Sequence, residues 1–214
     1  MTRKVLLGPS SFADADPAPV ELLRRAGFEV LPNPHRRKLT RPELIALLTE
    51  EVVGLIAGLE PLDREVLGRS RLKAISRCGS GTSNVDLAAA RELGIAVSWT
   101  PDAPVQSVAE LTVGALLTLL RAVPAMDRAV REGRWEKKTG RLLHGMTVAV
   151  VGFGRIGRRV AQLLKPFEVR LLAVDPTLSG QVEGALVVPM AKALAQADVV
   201  TLHCSGEKVL LGAI

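Results

Sequence analysis

Between Val148 and Asp175 the sequence sets Gly152, Gly154 and Gly157 in the order Gly-x-Gly-x-x-Gly and then closes on an acid. Glycines at those spacings, between a strand and a helix, can cradle a pyrophosphate. Gly152 permits the tight turn, Gly154 lets backbone approach the phosphates, and Gly157 allows close packing of helix on strand. The helix that follows offers N–H groups and a partial positive charge at its start. Arg155 stands in that first turn with a full charge for the same phosphates. Asp175 ends the next apolar run, where a carboxylate accepts from ribose hydroxyls and repels a 2′-phosphate. A dinucleotide is therefore the ligand, and NAD is favoured over NADP. The motif alone is weak, but here it has its strand, its helix and its second strand.

Other candidate chemistry is sparse. The three histidines, His35, His144 and His203, and the two cysteines, Cys78 and Cys204, share no metal-ligand spacing. No metal site is read, and the cysteines read as reduced thiols. The formal charge is +6, with positive residues scattered over Arg36-Arg37-Lys38, the 131–141 segment and the 155–159 segment. With four Phe, two Trp and no Tyr there is little for bases to stack on. Small anions therefore suit the charge better than nucleic acid. The apolar stretch Leu111 to Leu120 is too short to span a bilayer, and the N-terminal apolar run is too short for a signal-peptide core. A cytoplasmic protein with no membrane partner is expected.

The elements that must position the glycine turn follow from patterning. Strands are expected at Lys4–Leu7, Phe28–Leu31, Gly54–Ala57, Lys73–Ser76 and Ile95–Ser98. Helices at Pro19–Ala26, Arg41–Glu51, Asp63–Gly68 and Asp86–Leu93 alternate with them. Such alternation implies parallel β-α-β units and an α/β fold. Thr100-Pro101-Asp102-Ala103-Pro104 reads as a linker, and Val105–Arg121 as a long apolar helix of the kind buried at a domain or subunit boundary. Beyond it come the strand Thr147–Val151, a helix from Arg158 to Leu164, a strand Val169–Val174, a helix Pro189–Ala195 and a strand Asp198–Leu202.

Four segments resemble the D-2-hydroxyacid dehydrogenases, close to their phosphoglycerate dehydrogenase branch. They are Leu142 through Gly157, Arg77 through Asp86 with its Cys78-Gly79-Ser80-Gly81 loop, Val105 through Glu110, and Asp198 through His203. The resemblance implies two domains with parallel sheets. Residues 1–100 would form a flavodoxin-like substrate domain. Residues 101–214 would form a Rossmann NAD-binding domain, incomplete in its C-terminal half. Gly152, Gly154, Arg155, Ile156, Gly157 and Asp175 would hold NAD. His203 would lie near the cofactor ribose, although a polar residue closing a buried strand fits it equally. Ser80 and Gly81 would offer backbone N–H groups to the carboxylate of a small anionic 2-hydroxy or 2-oxo acid. A homodimer through the Val105–Arg121 helix is also implied.

The sequence departs from the family in ways that bear on activity. The family's catalytic Arg, Glu and His fall beyond Ile214, and none of the three histidines present matches the acid/base position. No catalytic residue is therefore assigned in this chain. Cys204-Ser205 replaces a residue-then-Pro pair, and Val209–Ile214 is an apolar end. The expectation is a chain that binds NAD more securely than it turns over, or one completed by another polypeptide. Hydride transfer needs a group to take the hydroxyl proton.

Overall fold

The structure, a computed structural model, describes residues 3–204. Ser205 and the apolar run Val209–Ile214 lie outside the described residues. The chain divides into two compact units, with the break between Ala103 and Pro104.

In the first unit five strands form one parallel sheet. They are β1 (Lys4–Leu7), β2 (Glu29–Leu31), β3 (Val52–Ala57), β4 (Ala74–Arg77) and β5 (Ala96–Trp99). Their order is β2-β1-β3-β4-β5, with Val5 beside Val30, Leu6 beside Leu55 and Ile75 beside Val97. This is the flavodoxin-like winding, in which the sheet grows outward from β1 in both directions. Helices α1 (Ala18–Arg25), α2 (Arg41–Leu47), α3 (Arg64–Arg69) and α4 (Leu87–Glu92) connect the strands. Leu6, Leu55 and Ile75 of the sheet are buried with Leu44, Val66, Leu67 and Ala89 of α2, α3 and α4. By contrast, α1 buries no residue.

Local chemistry sets the helix starts. Thr40 and Glu43 form a capping box at α2. The Asp63 and Asp86 carboxylates accept from the Val66 and Ala89 N–H groups at 3.1 and 2.8 Å. Both aspartates are therefore caps and not first helical residues. Helix α2 also ends at Leu47, short of the expected Glu51. The Val52 N–H donates to the Thr49 carbonyl in a turn that feeds β3 directly.

The second unit opens with α5 (Val105–Leu120) and α6 (Val123–Arg131). Its strands are β6 (Thr147–Val151), β7 (Arg170–Val174), β8 (Gln181–Val182), β9 (Ala185–Val187) and β10 (Val199–Leu202). Helix α7 (Arg155–Leu164) joins β6 to β7, and α8 (Met190–Gln196) leads into β10. The order is β10-β6-β7-β9-β8, all parallel except β8 against β9. Val148 and Val150 face a core shared with α5 and α7, while Ala149 and Leu172 face Ala193 of α8. Covering both faces explains why β6 reads as an unbroken apolar run.

In the second unit two more elements depart from the sequence expectation. The β8–β9 hairpin was not foreseen. Its strands are short, and its turn uses Glu183 and Gly184, both at positive φ, in place of the usual Asn-Gly. Helix α7 begins at Arg155, so Gly157 lies inside it and not before it. Glycine is a poor helix former. Here its missing side chain is what the packing requires.

Candidate dinucleotide cleft

The cleft is built where strand ends meet. The chain leaves β6 at Val151 and turns at Gly152, whose φ of +87° favours glycine. The Gly152 N–H donates to the Val174 carbonyl at 2.8 Å, and the His203 N–H donates to the Val151 carbonyl at 2.7 Å. The turn is thus tied to the ends of β7 and β10 on either side of β6. A Cβ on Gly152 would sit 2.5 Å from the Cys204 nitrogen, so this crossing admits no side chain. Between β6 and β10 the connections pass to opposite faces of the sheet. That is the switch point where ligands of such sheets bind.

The glycines divide their work. Gly157 is buried, and a Cβ there would overlap the Gly152 carbonyl oxygen, so it lets α7 close on the turn. Gly154 caps α7 with extended backbone, and a Cβ there would meet nothing within 4 Å. The open space above Gly154 and the amino end of α7 together fit a pyrophosphate. Arg155 is exposed and Ile156 is half-buried against the α5–α7 core. Neither lines the cleft; Arg155 sits at the mouth of the helix, as the sequence placed it.

The cleft has a volume of about 860 Å³. Gly152 and Gly154 form its turn wall, and His203 and Cys204 close the β10 side. Leu178, Val187, Pro189 and Met190 give it an apolar wall suited to a flat base. Sequence reasoning missed that wall, because it comes from the β8–β9 hairpin and its flanks. The only advance signal was a run of apolar residues without clear period.

Asp175 lines the same cleft. Its Oδ1 accepts from the Thr177 hydroxyl at 2.7 Å and the Thr177 N–H at 3.0 Å. Its Oδ2 accepts from the Phe153 N–H at 3.0 Å, which fastens the carboxylate to the glycine turn. These donors, the Thr177 hydroxyl first, hold the carboxyl below its ordinary range. His203 is half-buried, and burial pushes its imidazole below the ordinary value, which favours the neutral ring. One ring nitrogen lies 2.9 Å from the Thr201 hydroxyl.

In the first unit, Ser80 and Gly81 lie exposed on the loop after β4. The Gly79 N–H donates to the Thr100 hydroxyl at 3.0 Å and pins that loop to the end of β5. Beneath it, Asn84 Nδ2 donates to the Gly58 and Glu60 carbonyls, while its Oδ1 accepts from Arg77 Nε. Among the described residues no cluster of His, Cys, Asp or Glu is arranged to hold a metal. His35 lies 3.5 Å from Glu43, but that carboxylate already serves Arg37 and the α2 cap.

Comparison with known proteins agrees with this geometry. Residues 113–210 match the family described as D-isomer specific 2-hydroxyacid dehydrogenase, NAD binding domain. The chain is 34% identical over 201 residues to D-3-phosphoglycerate dehydrogenase of Archaeoglobus fulgidus, covering 91% of this chain and 38% of that protein. Against the human D-3-phosphoglycerate dehydrogenase it is 32% identical over 207 residues, with 94% and 38% covered. The apo structure of Escherichia coli D-lactate dehydrogenase superposes with a TM-score of 0.73 at 27% identity, covering 94% of this chain and 65% of that one. The chain thus spans well under half the length of the curated relatives it matches. A doubly wound sheet, a glycine turn at its switch point and an acid held beside that turn agree with these matches: the chain belongs to the D-2-hydroxyacid dehydrogenase family and carries its NAD-binding domain.

Proposed function

We propose that this chain holds NAD in the 860 Å³ cleft for hydride exchange with a small 2-hydroxy acid such as 3-phosphoglycerate. The single observation that carries the reading is the Asp175 carboxylate, bound to the Phe153 N–H and so fixed beside the glycine turn. Gly152, Gly154 and the first turn of α7, through the backbone N–H groups of Arg155 and Ile156, would hold the pyrophosphate. Gly157 lets that turn close, Asp175 would take the ribose hydroxyls, and His203 would lie by the second ribose. NAD, when bound, supplies the hydride acceptor. The Ser80 and Gly81 N–H groups would take the substrate carboxylate, whose hydroxyl proton must go to a base as the 2-oxo acid forms. Residues 1–100 would be the substrate domain and 101–214 the cofactor domain.

Two further assignments belong to this reading. Leu111 and Leu119 leave an apolar stripe on α5, which would pair with a second copy in a homodimer. Cys78 and Cys204 are both free and exposed, which suits the reducing cytoplasm. No single helix among the described residues is long and apolar enough to cross a membrane.

A second reading, cofactor binding without turnover, draws on the same cleft. Its histidine, His203, favours the neutral ring and is bonded to Thr201, with no carboxylate to orient it among the described residues. Calorimetric titration with NADH, followed by assay of NADH formation from D-3-phosphoglycerate or D-lactate, separates the two. Binding with turnover supports the first reading, and binding alone supports the second. No binding at millimolar NADH removes both.

A further inference from the structure

Asp175 is held more firmly than a strand-ending acid requires. An ionised carboxylate has about four acceptor positions. Thr177 fills both on Oδ1, through its hydroxyl at 2.7 Å and its N–H at 3.0 Å. Phe153 fills one on Oδ2. Among the described residues nothing else bonds Oδ2, which leaves one position there for a ligand hydroxyl. The Asp-Pro-Thr segment thus makes a side-chain turn of the kind aspartate forms with the residue two further on. Thr177 itself is exposed and is not part of the cleft wall, so whatever it does to a ligand passes through Asp175. The charged group facing this carboxylate is Arg158. It lies 5.5 Å from the Phe153 ring centre and pairs with Glu183 of the hairpin turn. Its cation is therefore committed, and orientation of Asp175 falls to Thr177 and Phe153.

We propose that Thr177 is a positioning residue that sets the cofactor preference of the cleft by locking Asp175 in one orientation. A carboxylate fixed there meets a ribose hydroxyl of NAD squarely and confronts the 2′-phosphate of NADP. Freed of one donor, it can turn aside, so it serves NAD less well and opposes NADP less. The inference rests on the reading that Asp175 contacts the adenosine ribose.

The test uses the 214-residue chain and three variants, with Kd for NADH and for NADPH measured by calorimetry. Thr177→Val removes the hydroxyl but keeps the branched shape and the backbone donor. It is expected to lower the preference for NADH about threefold to tenfold, a part of one charge-assisted hydrogen bond. Thr177→Ser is expected to keep the wild-type preference. Asp175→Asn is expected to abolish it. Carbon-13 titration of the Asp175 carboxyl should move toward the ordinary aspartate range in Thr177→Val and not in Thr177→Ser. A Thr177→Val chain with wild-type preference, beside an Asp175→Asn chain that has lost it, overturns the inference and leaves the role of Asp175 standing. So does a uniform weakening of both cofactors with the carboxyl titration unmoved. If Asp175→Asn keeps the wild-type preference, the underlying reading fails and the inference falls with it.

Discussion

At the residue scale, the three glycines of one motif do separable jobs, and substitution can tell them apart. Gly157→Ala forces a Cβ into the Gly152 carbonyl, so it should cost about 1–3 kcal/mol of stability through overpacking. Gly154→Ala puts a methyl into open space on backbone that alanine adopts freely. It should leave stability within about 0.5 kcal/mol. The same methyl stands where phosphate must approach, so NADH should bind roughly tenfold to a hundredfold more weakly. Thermal melts and NADH titrations of both variants check this pair of outcomes. Equal loss of stability in both would mean that Gly154 also serves packing. The glycines and Asp175 were legible in the sequence because turn stereochemistry is local. The Phe153 N–H was not, because a backbone N–H leaves no mark in a sequence until two strand ends are brought together, whereas the Thr177 contact is a local turn two residues on from Asp175.

At the element scale, α5 shows how an apolar helix can serve two surfaces. Ala109 and Leu116 are buried, and Val113, Leu117 and Leu120 pack against the same core. Leu111 and Leu119, eight positions apart and so on one side of the helix, are 72% and 73% exposed. Exposed apolar side chains in a stripe mark a surface for association. If the proposed homodimer pairs through α5, Leu111→Arg should convert it to a monomer in light scattering while far-UV circular dichroism stays unchanged. A wild-type chain already monomeric at high concentration would refute the assignment. Sequence reading found α5 from its composition but not its split character, because composition reports how apolar a helix is and not which side the rest of the fold covers. The β8–β9 hairpin makes the complementary case. Its strands are too short to show a period, yet it raises one wall of the cleft.

At the scale of the whole molecule, each unit has its own core. Among the described residues, the cluster around Leu6, Leu55 and Ile75 draws only on the first unit, and those around β6 and β7 only on the second. Such units can melt separately. A ligand confined to the second unit should raise only the transition of that unit. NADH at a hundred times its Kd would add about 2.7 kcal/mol, roughly 10 °C for a unit of this size. Calorimetry with and without NADH reads this directly. A single transition that moves as a whole would show that the units unfold together.

The sequence by itself determined the α/β class, most strands, the glycine turn and its acid. Those features rest on side-chain period and on backbone conformations that few residues can adopt. Only the tertiary structure decided which strand ends converge, that the hairpin walls the cleft, and that Asp175 is held by the Phe153 N–H. Those are relations between segments brought together by burial of a shared core. Physical proximity of that kind is set by the sum of many weak apolar contacts, and no short stretch of sequence encodes it. For the glycine turn, this means that its local chemistry could be read in advance, whereas the grip of Phe153 on its acid could not.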